Sequence, residues 1–223
     1  MLLRLGMGYW ANVIRYVRGP AVVVLVAAVA SAVNAFADGP KALYLGAALI
    51  AAAGAFWVAI EQASWEHELQ ATVTGGDSWC YLTLGGLTGS GNRASVTVVH
   101  QGRYPLYDVS ARIVDLDKFD LIKSTVSWET LAQTETILTV GNLGPDKAML
   151  LPTTVEIPQK GLRWNIFFSA RNGFFTQELR LLQIKGCWAS ATRTTRRHGE
   201  TEVVLREKVD SIFPRDSMGK VEW

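Results

Sequence analysis

LRWNIFFSARNGFFTQELRLLQI, residues 162–184, is the stretch that decides the fold class. Leu162, Trp164, Ile166 and Phe168 fall on alternate positions, the period of a strand that buries one face. Asn172-Gly173 follows, and both residue types tolerate the left-handed backbone that a tight hairpin turn needs. FFTQELRLLQI, 174–184, then returns as a second strand. The pattern is a β-hairpin, and the sequence on both sides extends it.

Upstream, SWCYLTL (78–84), RASVTVVH (93–100), LYDVSARIVDL (106–116), TETILTV (134–140) and MLLPTTVEI (149–157) read as further strands. Ala94, Val96 and Val98 form one apolar face; Tyr107, Val109, Ala111 and Ile113 form another. GNLGPDK between two of these strands is a turn by composition. Downstream, CWASATRTT (187–195) and ETEVVLREKV (200–209) form a last hairpin around RRHG. Eight or nine short strands with turns between them predict an antiparallel sandwich or barrel. The tail SIFPRDSMGKVEW reads as irregular.

Residues 20–60 differ in kind. PAVVVLVAAVASAVNAFA (20–37) and ALYLGAALIAAAGAFWVAI (42–60) carry no formal charge. As helices each is about 27–29 Å long, close to a hydrocarbon core of about 30 Å. The expectation is a two-helix transmembrane hairpin over 19–60, with 1–18 lying at the interface. A helical neck is expected over 61–74, a β domain over 75–210 and a tail over 211–223. Ala27, Ser31 and Ala35 in the first run, and Ala47, Ala51 and Ala55 in the second, recur at four-residue spacing. Small residues so placed let two helices approach closely, within the hairpin or between protomers. Asn34 is the one strongly polar side chain in the first run. Between the runs, Ala35-Phe36-Ala37 ahead of Asp38 has the small-x-small form of a signal-peptidase site. The longer apolar run and Pro40 favour a hairpin tip. Arg4, Arg15 and Arg18, with no acid before the first run, place the N-terminus in the cytoplasm; two spans return the chain to that side. The expected location is therefore the inner membrane with both termini cytoplasmic. Tyr9, Trp10, Tyr16, Trp57 and Trp65 suit the membrane boundary.

The formal charge is only +2, so no strong field points to duplex nucleic acid. Two cysteines, Cys80 and Cys187, are too few for a disulfide scaffold and match no zinc spacing; neither do His67, His100 and His198. No metal, other cofactor or catalytic residue is assigned. GGDSWC (75–80) reads as a turn more readily than as an Asp–Ser site. GGLTGSGNR (85–93) lacks the order of a phosphate-binding loop and reads as an inter-strand connection. A cysteine paired in space with His100 would make a nucleophile; a strand cysteine is more often a small core residue. RTTRRHGETE (193–202) places Arg193, Arg196, Arg197 and His198 at a hairpin tip. Those groups suit an anion, either a nucleotide's phosphate or an anionic lipid. The alternative is a solvated strand end with Glu200 and Glu202 as cross-strand partners. Trp79, Trp164 and Trp188 fall in strands, while Trp128 and Trp223 stand as candidate exposed contacts.

The stretches RASVTVVHQGRYPLYDVSARIVDL, VGNLGPDKAMLLPTTVEI and LRWNIFFSARNGFFTQELRL together resemble bacterial immunoglobulin-like sandwiches over about residues 78–184. The resemblance implies an immunoglobulin-like β-sandwich after the membrane hairpin, and a fold of that kind does not fix a function. The layout is also similar to prokaryotic two-span, β-rich membrane effectors of antiviral signalling. That likeness implies nucleotide sensing and assembly of the spans. Three functions compete. The first is a non-enzymatic, membrane-anchored module that binds a protein partner or forms a homo-oligomer. The second is a membrane-disrupting effector gated by a nucleotide. The third is a membrane-tethered hydrolase.

Overall fold

A computed structural model describes residues 41–86, 93–125 and 127–223. Two compact units divide the chain, the first ending at Leu69 and the second running from Gln70 to Trp223. The expected first span, the N-terminal segment, and Ala27, Ser31 and Ala35 lie outside the described residues, as do 87–92 of the glycine-rich loop.

Helix α1 covers Lys41–Thr74. Its side chains are described at Gly46 and from Leu49 onward; that of Ala47 is outside the description. From Leu49 to Ile60 the helix is wholly apolar, and from Glu61 it is mostly polar. Ala51 is half-buried and Ala55 exposed. Among the described residues no helix is long and apolar enough to cross a membrane. The expected two-helix membrane hairpin therefore finds no support in the described helices.

The second unit is an antiparallel β-sandwich. Its strands are β1 (Trp79–Gly85), β2 (Arg93–Gln101), β3 (Leu106–Asp115), β4 (Glu135–Leu143), β5 (Ala148–Glu156), β6 (Leu162–Ala170), β7 (Gly173–Ile184), β8 (Cys187–His198) and β9 (Thr201–Val209). One sheet has the order β1-β2-β5 and the other β4-β3-β6-β7-β8-β9. Alternation supplies the core between them. Leu82, Val96, Val98, Ile113, Ile166 and Phe168 point inward and are almost wholly buried, and Phe168 stacks on Phe175 with ring centroids 5.1 Å apart. The β6–β7 hairpin pairs Leu162 with Leu181 through to Ala170 with Gly173, so the two loop residues are Arg171 and Asn172 rather than the expected Asn172-Gly173, and Gly173, with φ 113°, opens β7. The hairpin β8–β9 is continuous with the larger sheet.

Strand β3 departs from simple alternation. The ladder slips between Leu106 and Val109, and Asp108 adopts a left-handed φ of 55°. The bulge turns Leu106 into the core, where alternation alone placed Tyr107; Tyr107 is only half-buried. Asn142 holds the bulge, its Oδ1 accepting from the Asp108 N–H at 3.1 Å.

Between β3 and β4 lie two short helices, α2 (Leu116–Ile122) and α3 (Trp128–Thr134). Asp115 caps α2 by accepting from the N–H groups of Asp117 and Lys118. Ser127 and Thr130 form a capping box at α3. The tail 211–223 has no regular element but is not loose. Phe213, Val221 and Trp223 pack with Ala189 and Ala191 in a second small core, on the sheet face away from the sandwich interior. Asp210 anchors its start by accepting from both the N–H and the hydroxyl of Ser190.

Candidate functional site: the junction and the basic tip

Gly75 and Gly76 end α1 with left-handed φ values of 105° and 52°. The chain then turns through Asp77 and Ser78 into β1. In six residues the backbone leaves a helix end and a turn, whose carbonyls need donors. Side chains of the larger sheet supply them. Arg171 donates to the Val73 carbonyl at 3.3 Å. Asn172 Nδ2 donates to the carbonyls of Gly76 at 3.0 Å and Ser78 at 2.6 Å. Arg196 donates to Asp77 at 3.3 Å and Ser78 at 2.7 Å. The Ser78 hydroxyl, fully buried, accepts from the Tyr104 N–H at 2.9 Å. GGDS is thus a turn, and its serine is a structural acceptor.

The structure does not gather the four residues of the basic tip. Register pairs Arg193 directly with Glu178, and the two side chains meet at 2.7 Å, with the Arg193 guanidinium over the Trp223 ring. Arg196 points to the opposite face of β8. It is 8% exposed, stacks over Phe175 and is spent on the junction carbonyls. Burial pushes its guanidinium below the ordinary arginine range. Arg197 and His198 remain exposed, and the ladder places them opposite Glu202 and Thr201.

Cys80 sits opposite His100 on the β1–β2 ladder, both fully buried. The pair has no nucleophile geometry. His100 Nε2 meets the Tyr104 carbonyl at 2.8 Å, and Nδ1 accepts from the Asp146 N–H at 3.3 Å. These contacts fix the tautomer with the proton on Nε2, and both ring nitrogens are occupied. Burial raises the Cys80 thiol far above its ordinary value, which suppresses the thiolate. Cys187 is exposed and His67 lies exposed on α1. Among the described residues no group of three or more His, Cys, Asp or Glu is arranged to hold a metal ion.

Sequence reasoning passed over Gln177. It stands at an inward position of β7 between Phe175 and Leu179 and is fully buried. Its Oε1 accepts from the Leu82 N–H at 2.7 Å, and its Nε2 donates to the Leu82 carbonyl at 2.8 Å. One side chain thereby satisfies both backbone groups of Leu82 on edge strand β1. An amide at an apolar position of an alternating strand is the signal that marks it. The same face of β8 carries four buried side-chain atoms without a hydrogen-bond partner: Trp188 Nε1, Thr192 Oγ1, Thr194 Oγ1 and Arg196 Nε. A second residue passed over is Arg180, 3% exposed. It donates to the Trp164 carbonyl at 2.7 Å and to Asn165 Oδ1 at 3.1 Å.

Comparison with known proteins returns no match to this chain from family models, curated proteins or solved structures.

Proposed function

We propose that this chain is a non-enzymatic, inner-membrane-anchored protein whose β-sandwich binds a protein partner on the cytoplasmic side. The observation that carries the reading is the surface of α1. Leu49, Ile50, Phe56, Trp57, Val58 and Ile60 are each between 37% and 69% exposed on one helix. At about 100° per residue, Leu49 and Val58 lie on opposite sides, so the apolar surface is no single stripe awaiting a core. Exposure of that kind is unfavourable in water by about 25 cal/mol per Å² and favourable in lipid. The run 42–60 is free of formal charge, and in this reading the three arginines before residue 19 supply the orientation. Support for an immunoglobulin-like sandwich is confined to the two-sheet antiparallel core.

The effector reading called for a phosphate grip at the tip. Arg193 and Arg196 are committed to Glu178 and to the junction, which leaves Arg197 and His198 as a weaker anion site. The binding reading is therefore preferred. Alkaline carbonate extraction of membranes from cells expressing the full chain tests the anchor. The protein should stay in the pellet, and release into the supernatant overturns the reading. A reporter that matures only outside the cytoplasm, fused after Trp223, should stay dark.

A further inference from the structure

The larger sheet is six strands wide and the smaller only three, so the inward face of the larger one runs on past edge strand β1 to β8 and β9. Register defines what that stretch presents. Thr192 lies directly opposite Lys208, and Thr194 directly opposite Arg206, so the four side chains share one face. It is the inward face, because Thr192 and Thr194 also sit opposite Leu179 and Gln177, whose side chains are buried in the core. Neighbours on one face are about 7 Å apart along a strand and about 5 Å apart across the pair. Two hydroxyls and two cations therefore frame a patch of about 5 by 7 Å. A bulge at Leu205, next to Arg206, re-aims β9 at this point. The Arg206 guanidinium reaches from the larger sheet to the Tyr81 ring of β1, 4.3 Å from its centroid.

We propose that this patch binds a phosphoryl oxyanion, as inorganic phosphate or a small phosphate monoester. Two independent observations lead there. The first is orphaned donors. Thr194 is fully buried, and neither its hydroxyl nor that of Thr192 has a hydrogen-bond partner. Buried hydroxyls left in that state are unfavourable, and a bound acceptor relieves them. Arg196 Nε, at the next inward position along β8, is a third buried donor without a partner. The second observation is uncompensated charge. Among the described residues no ion pair joins Arg206 or Lys208 to a carboxylate, whereas neighbouring Arg193 is paired with Glu178. Glu207, between the two cations, lies on the opposite face with Arg193. Asp210, next along the patch, is engaged by the N–H and hydroxyl of Ser190. The lining thus combines hydroxyls that lack an acceptor with two positive charges. A water would satisfy the hydroxyls and leave the charge. A phosphate monoester brings between about 1.5 and 2 negative charges at neutral pH and three strong acceptor oxygens. Arg206 is half-buried and held against a ring, so turning it from Tyr81 to the anion uncovers the hydroxyls without moving the backbone. The source is a free ion, because a headgroup fixed in a flat bilayer does not reach a hydroxyl buried between two sheets.

Calorimetric titration of the full chain, in neutral detergent micelles at constant ionic strength, with inorganic phosphate tests it. The wild type should bind phosphate with a dissociation constant of about 1 mM or lower. Thr192→Val with Thr194→Val keeps the shape and every charge, so it should fold and bind about tenfold more weakly or worse. Arg206→Gln should weaken binding to a similar degree, and Arg197→Gln, at the exposed tip, should leave it unchanged. A general attraction of phosphate to surface cations predicts the reverse, with Arg197→Gln as damaging as Arg206→Gln and the threonine pair without effect; that result overturns the inference. So does a wild type that binds no phosphate. If the threonine variant fails to fold, Lys208→Gln, at an exposed position, is the second test, and undiminished binding there overturns the inference. Phosphatidylglycerol added to the micelles should not displace the phosphate; displacement overturns the free-ion source. The inference goes beyond the binding reading, and none of these outcomes bears on carbonate extraction, so the anchor and the anion site fail separately.

Discussion

Arg196 shows how far a side chain's neighbours can move its role. In the sequence it belongs to a run of cations at a hairpin tip. In the fold it is buried and is held by two backbone carbonyls of the turn that follows α1. Arg196→Ala should destabilise the β unit by about 2–3 kcal/mol, because it strips charged donors from buried acceptors. Arg197→Ala, one residue on and exposed, should stay within about 0.5 kcal/mol. Urea denaturation of both variants checks the contrast, and equal effects would remove the junction role. The cysteines divide in the same way. Cys80 is fully buried with its thiol strongly raised, whereas Cys187 is exposed. A thiol reagent at neutral pH should modify one cysteine of the native chain rapidly and the second only on unfolding. Fast reaction of both would show that β1 opens. Sequence alone offered both cysteines as strand residues and had no means to rank them.

At the scale of elements, the turns were legible and the edges were not. The hairpin fell where Asn172-Gly173 marked it, though its loop is Arg171-Asn172 with Gly173 as the first strand residue, and Gly75-Gly76 ended the helix. Gly161 is another required glycine: at φ 103° a side chain there would collide with the Leu181 carbonyl. Gly161→Ala should cost at least about 1–2 kcal/mol, read as a lowered melting temperature. Helices α2 and α3 escaped the sequence reading because seven residues are too few to show a helical period. Their caps hold them locally. Ser127→Ala should abolish hydrogen-exchange protection across Trp128–Thr134 while global stability changes by about 1 kcal/mol or less. Each sheet edge is blunted by a different device. β5 carries Pro152 within a register shift, β9 has a bulge at Leu205, and β4 faces the bulge of β3. On β1, Gln177 occupies the backbone groups of Leu82, and Arg196 bonds the Ser78 carbonyl just before the strand. Such edges discourage strand addition, which directs partner contacts to the faces.

For the whole molecule, the exposed apolar surface of α1 is the feature on which the proposed membrane attachment rests. The sequence by itself determined the predominantly β character of residues after 75, because period-two alternation and turn residues are local signals that survive any arrangement of strands. It also carried the apolar run of α1 and the bias of charge ahead of it. Only the tertiary structure decided the three-against-six division of strands, the closure of β1 by Gln177, and which arginines face water. Those outcomes join residues such as Leu82 and Gln177, or Ser78 and Arg196, roughly a hundred positions apart. A strand's alternation says that it has two faces. Which face meets the core, the tail or another molecule is set by packing between sheets, and packing has no local period to read.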